Sequence, residues 1–89
     1  MALLFSLGDI SMAPDLFDEL NPGTMERSLD RHLNGDWGSV SPEVAQENEL
    51  ALIKGGVIRS CYSFAGDKFV YITTDADRRT TRISLTVDS

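Results

Sequence analysis

SPEVAQENELALIKGGVIRSCYSFAGDKFVYITT, residues 41–74, decides the fold, because its hydrophobic periodicity changes from helical to extended within this stretch. Ser41 and Pro42 are typical of a helix start, with a hydroxyl N-cap followed by proline at the first helical position. Gly55 and Gly56 end the helix after Lys54. We therefore predict a helix over residues 42–54. Its broad apolar side is predicted to include Val44, Ala45, Asn48, Ala51 and Leu52, widened toward the end by Leu50 and Ile53.

After Gly56 the residues alternate with the period of two that is typical of β-strands. Strands are predicted at residues 57–64 and 69–74, joined by a turn at 65–68, and a third strand at 81–87. Because the connections are short, these strands should pair as an antiparallel three-stranded meander.

Two shorter helices are predicted upstream, at residues 14–20 and 25–33, the second capped by Thr24. The apolar run at residues 3–7 fits a short buried strand, and Trp37 should anchor a turn against the core. The pattern as a whole predicts an α+β fold. We expect two to three short N-terminal helices to pack on one face of the C-terminal meander. A short N-terminal strand is compatible with this arrangement.

The length of 89 residues predicts a single domain covering residues 1–89. The one cysteine excludes an intramolecular disulfide. No basic residue precedes the N-terminal apolar run, and Asp9 interrupts it, which argues against a signal peptide and a membrane span. We expect a cytoplasmic protein with no membrane partner.

The net charge of −6 is distributed unevenly along the chain. Residues 1–50 carry a net charge of −8, whereas residues 51–89 carry +2. An acidic field steers a protein toward basic partners and away from nucleic acid and anionic lipid. An acidic surface that only aids solubility is the alternative. The candidate partner-binding residues are the acids Asp15, Asp18, Glu19, Glu26, Asp30, Asp36, Glu43, Glu47 and Glu49.

No assembled catalytic motif is present, so the sequence predicts a protein that is not an enzyme and needs no cofactor. His32 is the only histidine and lacks a recognisable nucleophile and orienting partner, which favours a structural role. Cys61 lies in a predicted strand without a basic cluster near it, which favours an inert, buried thiol. Asp75 and Asp77 form a DxD pattern, but turn formation and pairing with arginine are favoured over metal binding.

Direct binding of nucleic acid has little support. Arg78, Arg79 and Arg82 cluster near Tyr71, but a pI of about 4.5 opposes the counterion release that drives such binding. The reverse role is favoured: carboxylates could imitate the phosphates of a duplex and occupy a channel lined with lysine and arginine.

Two segments carry a resemblance, GDWGSVSPEVAQENELAL at residues 35–52 and YITTDADRRTT at residues 71–81. They resemble a family of small uncharacterised bacterial proteins encoded on plasmids and integrative elements. That family has a GDWG turn, a helix with an NE-AL core and an ITEADR-TT segment. This chain departs from the pattern at Thr74-Asp75, where the family has Thr-Glu.

The size, the acidity and the N-terminal half are also similar to the small anti-CRISPR proteins that act on type I-C systems. This resemblance implies a phage or mobile-element inhibitor in the cytoplasm of a bacterial host. It would bind Cascade, at its large Cas8-type subunit, and prevent target DNA from engaging. A monomer whose acids form one continuous patch would suffice for this role. The alternative is a regulatory or scaffolding partner of another mobile-element protein, with a dimer joined through the edge of the meander.

Overall fold

The computed structural model describes residues 4–14, 16–66 and 68–85. Within these residues the elements are, in chain order, β1 (Asp9–Met12), α1 (Leu16–Glu19), α2 (Pro22–Leu33), α3 (Pro42–Lys54), β2 (Ile58–Ala65), β3 (Lys68–Thr74) and β4 (Thr80–Ser84). The fold is α+β, with two long helices and the short α1 before most of the sheet. None of the helices in the described ranges has the length and apolar character needed to cross a bilayer.

The sheet has four strands in the order β1-β4-β3-β2, and β1 runs parallel to β4. The prediction of a three-stranded antiparallel meander is therefore wrong. The added strand, DISM, follows the predicted N-terminal strand at residues 3–7 instead of coinciding with it. All four of its side chains are exposed, and its alternation of polar and apolar residues covers only four positions, so β1 gives a weak strand signal in the sequence.

The helix boundaries follow from their caps. The Ser41 hydroxyl accepts a hydrogen bond from the backbone N–H of Val44, and α3 spans the residues predicted for it. For α2 the prediction was wrong, because the Asn21 side chain and not Thr24 caps the helix. The segment Asn21-Pro22 thus starts α2, although the sequence suggested that it only ends the preceding helix. The α1 helix is also shorter than the predicted range of residues 14–20.

The helices cover one face of the sheet. Two buried clusters fill the space between the layers: the first consists of Leu16, Leu20, Met25, Tyr62, Val70, Ile72 and Ile83, and the second of Trp37, Ala51 and Ile58. Trp37 anchors its turn against the core, as predicted. The strand residues on the opposite face, which we call the open face, are half-buried or exposed; they include Arg59, Cys61, Tyr71, Thr73 and Arg82.

The outer edge of β2 is covered by one side chain and by one backbone segment. The side-chain amide of Asn48 donates to the carbonyl of Arg59 at 2.7 Å and accepts from its N–H at 3.0 Å, as a neighbouring strand would. Further along, the segment around Gly38 pairs in parallel with Cys61. Gly38 has a φ of 75°, and a Cβ there would overlap the carbonyl oxygen of Cys61, so only glycine fits.

Candidate partner-binding surface

The outer side of α3 exposes two large apolar residues. Leu50 is 51% exposed and Ile53 is 81% exposed, and they lie three residues apart on one side of the helix. The prediction that they widen the buried side of α3 was wrong. Because α3 packs beside the edge strand β2, mainly through Asn48 and Ala51, its inward side is narrow.

Two carboxylates precede this apolar pair along the helix. Glu43 and Glu47 are exposed and four residues apart, and neither forms an ion pair with a described residue. Like-charged neighbours at this spacing destabilise a helix by a few tenths of a kcal/mol. We call the surface formed by Glu43, Gln46, Glu47, Leu50 and Ile53 the α3 surface. Its carboxylates lie toward the N-terminal end of the helix and its apolar residues toward the C-terminal end, where Lys54 is also exposed.

Glu49 is also exposed, but it has a structural role. Its carboxylate accepts a hydrogen bond from the indole Nε1–H of Trp37 at 3.0 Å. Trp37 belongs to the buried cluster between α3 and β2, so this bond positions the tryptophan as well as the carboxylate. A substitution of Glu49 would therefore alter the fold around Trp37 together with the surface charge.

The α2 helix carries a second pair of exposed acids. Glu26 and Asp30 are four residues apart, and neither forms an ion pair with a described residue. Asp18 is exposed on α1, again without an ion pair in the described chain. Asp15 lies outside the described residues. Among the described acids of this set, α2 and α3 thus each present a pair of carboxylates.

Two of the predicted partner-binding acids are neutralised by neighbours. Glu19 forms an ion pair with Lys68 at the start of β3. Asp36 accepts hydrogen bonds from Arg31 at 2.8 and 3.3 Å, and this guanidinium lowers the pKa of the Asp36 carboxyl. The guanidinium of Arg31 also lies over the Tyr62 ring, 4.5 Å from its centroid. The free acidic surface is therefore smaller than the sequence suggested.

His32 is buried in a chain of hydroxyl groups. Its Nε2 atom lies 2.9 Å from the Thr74 hydroxyl. The Thr74 hydroxyl lies 2.8 Å from the Thr81 hydroxyl, and the Thr81 hydroxyl donates to the Leu7 carbonyl at 2.7 Å. Because Thr81 donates its proton to Leu7, it accepts from Thr74, and Thr74 in turn accepts from Nε2–H. Nδ1 is then left to accept from Ser60. The histidine is a neutral structural group, more deeply buried than the sequence indicated.

The two aspartates of the DxD pattern, Asp75 and Asp77, also have structural roles. Asp75 pairs with Arg82 at 3.3 Å, and Asp77 accepts from the backbone N–H of Arg79, in line with the predicted turn and arginine pairing. No cluster of metal-ligating side chains occurs in the part of the chain that the structure describes. Cys61 is half-buried on the open face, and burial raises the pKa of its thiol.

Arg78 connects three segments of the backbone. Its guanidinium donates to the carbonyls of Ala51, Gly56 and Asp75 at 3.0, 2.6 and 3.0 Å. It thereby adds a second hydrogen bond to the Ala51 carbonyl, which also accepts from the N–H of Gly55, in the last turn of α3, where a cation interacts favourably with the helix dipole. Since Arg82 is paired with Asp75 as well, the basic cluster noted in the sequence is largely engaged within the fold.

No protein-family model, curated protein or solved structure matches the chain. The residues that sequence reasoning missed are Leu50 and Ile53 as an exposed pair and Asn48 as a cover for the β2 edge. A helix that packs on a sheet edge buries fewer of its apolar positions than one that lies across a sheet. The number of apolar positions in α3 alone does not distinguish the two arrangements.

Proposed function

We propose that the protein acts by binding, through the α3 surface, to a basic surface of another macromolecule. The observation that carries this proposal is the exposed pair Leu50 and Ile53 near the carboxylates Glu43 and Glu47, which form no ion pair with a described residue. Protein interfaces commonly have an apolar centre that supplies most of the binding energy and a polar border that sets orientation and specificity. The α3 surface has an apolar part and a charged part, and the negative sign of Glu43 and Glu47 favours a partner rich in lysine and arginine.

The distribution of charge between the helices and the sheet also favours a basic partner that binds on the helix side. Residues 16–54, which contain all three helices, carry eight acids and three bases, whereas residues 57–85 carry three acids and five bases. A basic partner is therefore attracted to the helix side. Long-range attraction of this kind raises association rates and weakens as salt is added.

For the identity of the partner we propose the DNA-binding surface of a type I-C Cascade complex, at its large Cas8-type subunit. The support is the resemblance to small anti-CRISPR proteins, together with carboxylate pairs on α2 and α3 that could occupy positions of DNA phosphates. On this account the protein excludes target DNA by occupying its binding site. The function needs no catalysis, and the hydrogen-bonded setting of His32 is consistent with a structural residue.

The experiment compares two matched pairs of charge reversals. Glu43→Lys/Glu47→Lys changes the α3 surface, and Glu26→Lys/Asp30→Lys changes the same number of exposed acids at the same spacing on α2. Glu49 is left unchanged because of its bond to Trp37. The measured quantities are the affinity for purified type I-C Cascade and the inhibition of its binding to target DNA. Thermal unfolding checks that each variant is folded.

We expect the α3 pair to weaken Cascade binding about 100-fold, since each lysine adds repulsion where there was attraction. The α2 pair should have a clearly smaller effect. Equal losses in both pairs would contradict the central place of α3, and unchanged binding of the α3 variant would refute the proposal. If the wild-type protein does not bind type I-C Cascade, the proposed partner is wrong.

The apolar part of the α3 surface is tested separately. Ile53→Ala should weaken binding about tenfold, as expected for an anchor residue. Because the Ile53 side chain is 81% exposed, its truncation should not change the free energy of unfolding. A loss of stability together with binding would mean that Ile53 contributes to the fold and not to the interface.

A further inference from the structure

The two edges of the sheet differ in how they are protected. The β2 edge is covered by Asn48 and by the segment around Gly38, but no described segment pairs with the outer side of β1. Strand β1 is short and carries Asp9, but its sequence DISM contains no lysine, proline or bulge that would block pairing. An edge of this kind can accept another strand.

The backbone hydrogen bonds between β1 and β4 show which backbone groups of β1 face away from β4. The N–H of Asp9 donates to Arg79 at 2.8 Å, and the N–H of Ala13 donates to Ile83 at 3.2 Å, both on the β4 side. Alternate residues of a strand direct their backbone groups to opposite sides. The N–H and C=O groups of Ile10 and Met12 therefore point outward, away from β4.

The side chains of Ile10 and Met12 are 42% and 39% exposed. In register they lie beside Thr81 and Ile83, whose side chains are buried on the helix-covered face. They continue this apolar face beyond the part that the helices cover. On the same two residues the edge thus combines exposed apolar side chains with backbone groups that no described segment pairs.

We propose that β1 pairs in antiparallel orientation with β1 of a second copy, with the twofold axis at Ser11. In this register Ile10 lies opposite Met12 of the partner, so each pair exchanges both backbone hydrogen bonds and brings two apolar side chains together. Moving the axis to Met12 would place Ile10 opposite Pro14, which has no N–H. Moving it to Ile10 would place Met12 opposite Gly8, outside the strand.

Charge is compatible with this pairing. Asp9, the one charged residue of β1, lies opposite Ala13 of the partner, so no like charges face each other. Two four-stranded sheets would join into one, with both helix layers on the same side. The two β2 strands would then be about 34 Å apart, and each α3 surface would remain exposed at an outer end. The dimer therefore goes beyond the proposed function and does not depend on it.

Disulfide trapping tests the register. In a Cys61→Ser background, Ser11→Cys would place two thiols across the axis, at a Cα separation of about 4.5 Å that a disulfide can bridge. The matched control is Asp9→Cys in the same background, because Asp9 and its counterpart would be about 13 Å apart along the strands. Under mild oxidation the Ser11→Cys protein should form a covalent dimer much faster than the control. Equal rates, or no dimer, would overturn the proposed register.

Sedimentation equilibrium tests the association itself. The wild-type chain should shift from monomer to dimer as its concentration rises, and Ile10→Lys/Met12→Lys should abolish the shift. At low concentration, where the wild type is monomeric, the two proteins should unfold at similar temperatures, since both side chains are partly exposed. Glu43→Lys/Glu47→Lys should dimerise normally, which separates this proposal from the proposed function. A wild-type protein that stays monomeric at millimolar concentration would overturn the dimer.

Discussion

The buried His32 should make the fold sensitive to mild acid. Burial lowers the pKa of His32 to about 4, and the nearby guanidinium of Arg78 contributes in the same direction. In the unfolded chain the pKa of a histidine is about 6.5. Between these two values the unfolded chain binds a proton that the folded chain does not bind. The free energy of unfolding therefore falls as the pH falls through this window.

The size of the effect follows from the two pKa values. Lowering the pH from about 7.5 to about 5 should reduce the free energy of unfolding by about 2 kcal/mol, with a limit of about 3.4 kcal/mol at lower pH. Domains of this size are typically stable by only about 5–15 kcal/mol, so the loss is large enough to measure. The depressed pKa of Asp36 acts in a lower window, since its contribution is lost only as the pH falls below the ordinary aspartate range.

The assay is urea unfolding of the wild type and of His32→Gln at both pH values. His32 is the only histidine, so the substitution removes the one side chain that titrates in this interval. The variant should be less stable than the wild type at the higher pH but should show little further change at the lower one. A wild type that is equally stable at both pH values, or an NMR titration of the His32 ring with a midpoint near 6.5, would refute the reasoning.

Three further predictions concern the backbone supports, each checked by urea unfolding. Asn48→Ala should cost about 2 kcal/mol, because the N–H and C=O of Arg59 lose both of their partners; a cost near zero would mean that water replaces the amide. Gly38→Ala should cost about 2 kcal/mol or more through overlap with Cys61 at a positive φ, and a neutral effect would contradict this geometry. Arg78→Lys should cost about 2 kcal/mol, because a lysine cannot reach three carbonyls at once, and full stability of this variant would contradict that role.

Local signals predicted the centre of the fold. Ser41 as N-cap and Gly55 after the last turn define α3, and the structure places both where the sequence indicated. These features act through neighbouring residues, so they can be seen in the sequence. The cap of α2 was misassigned because Asn21 and Thr24 are both good capping residues three positions apart, and only the observed bond distinguishes them.

The features that could not be predicted from the sequence depend on contacts between distant parts of the chain. Strand β1 pairs with β4 near the other end of the chain, and its alternation of polar and apolar residues covers only four positions. The ion pair of Glu19 with Lys68 likewise joins α1 to β3, so its loss from the free acidic surface could not be inferred. The exposure of Ile53 depends on how α3 packs beside β2, which its periodicity does not specify.

Protection of the α3 surface in the complex tests the central claim most directly. A single cysteine at Gln46, an exposed position between Glu43 and Leu50, is introduced in the Cys61→Ser background, and a matched cysteine is placed at Ser63 on the open face. The rate of alkylation of each is measured with and without type I-C Cascade. The account predicts that Cascade slows alkylation at Gln46→Cys strongly and leaves Ser63→Cys unchanged. Protection at Ser63→Cys with free access at Gln46→Cys would contradict it.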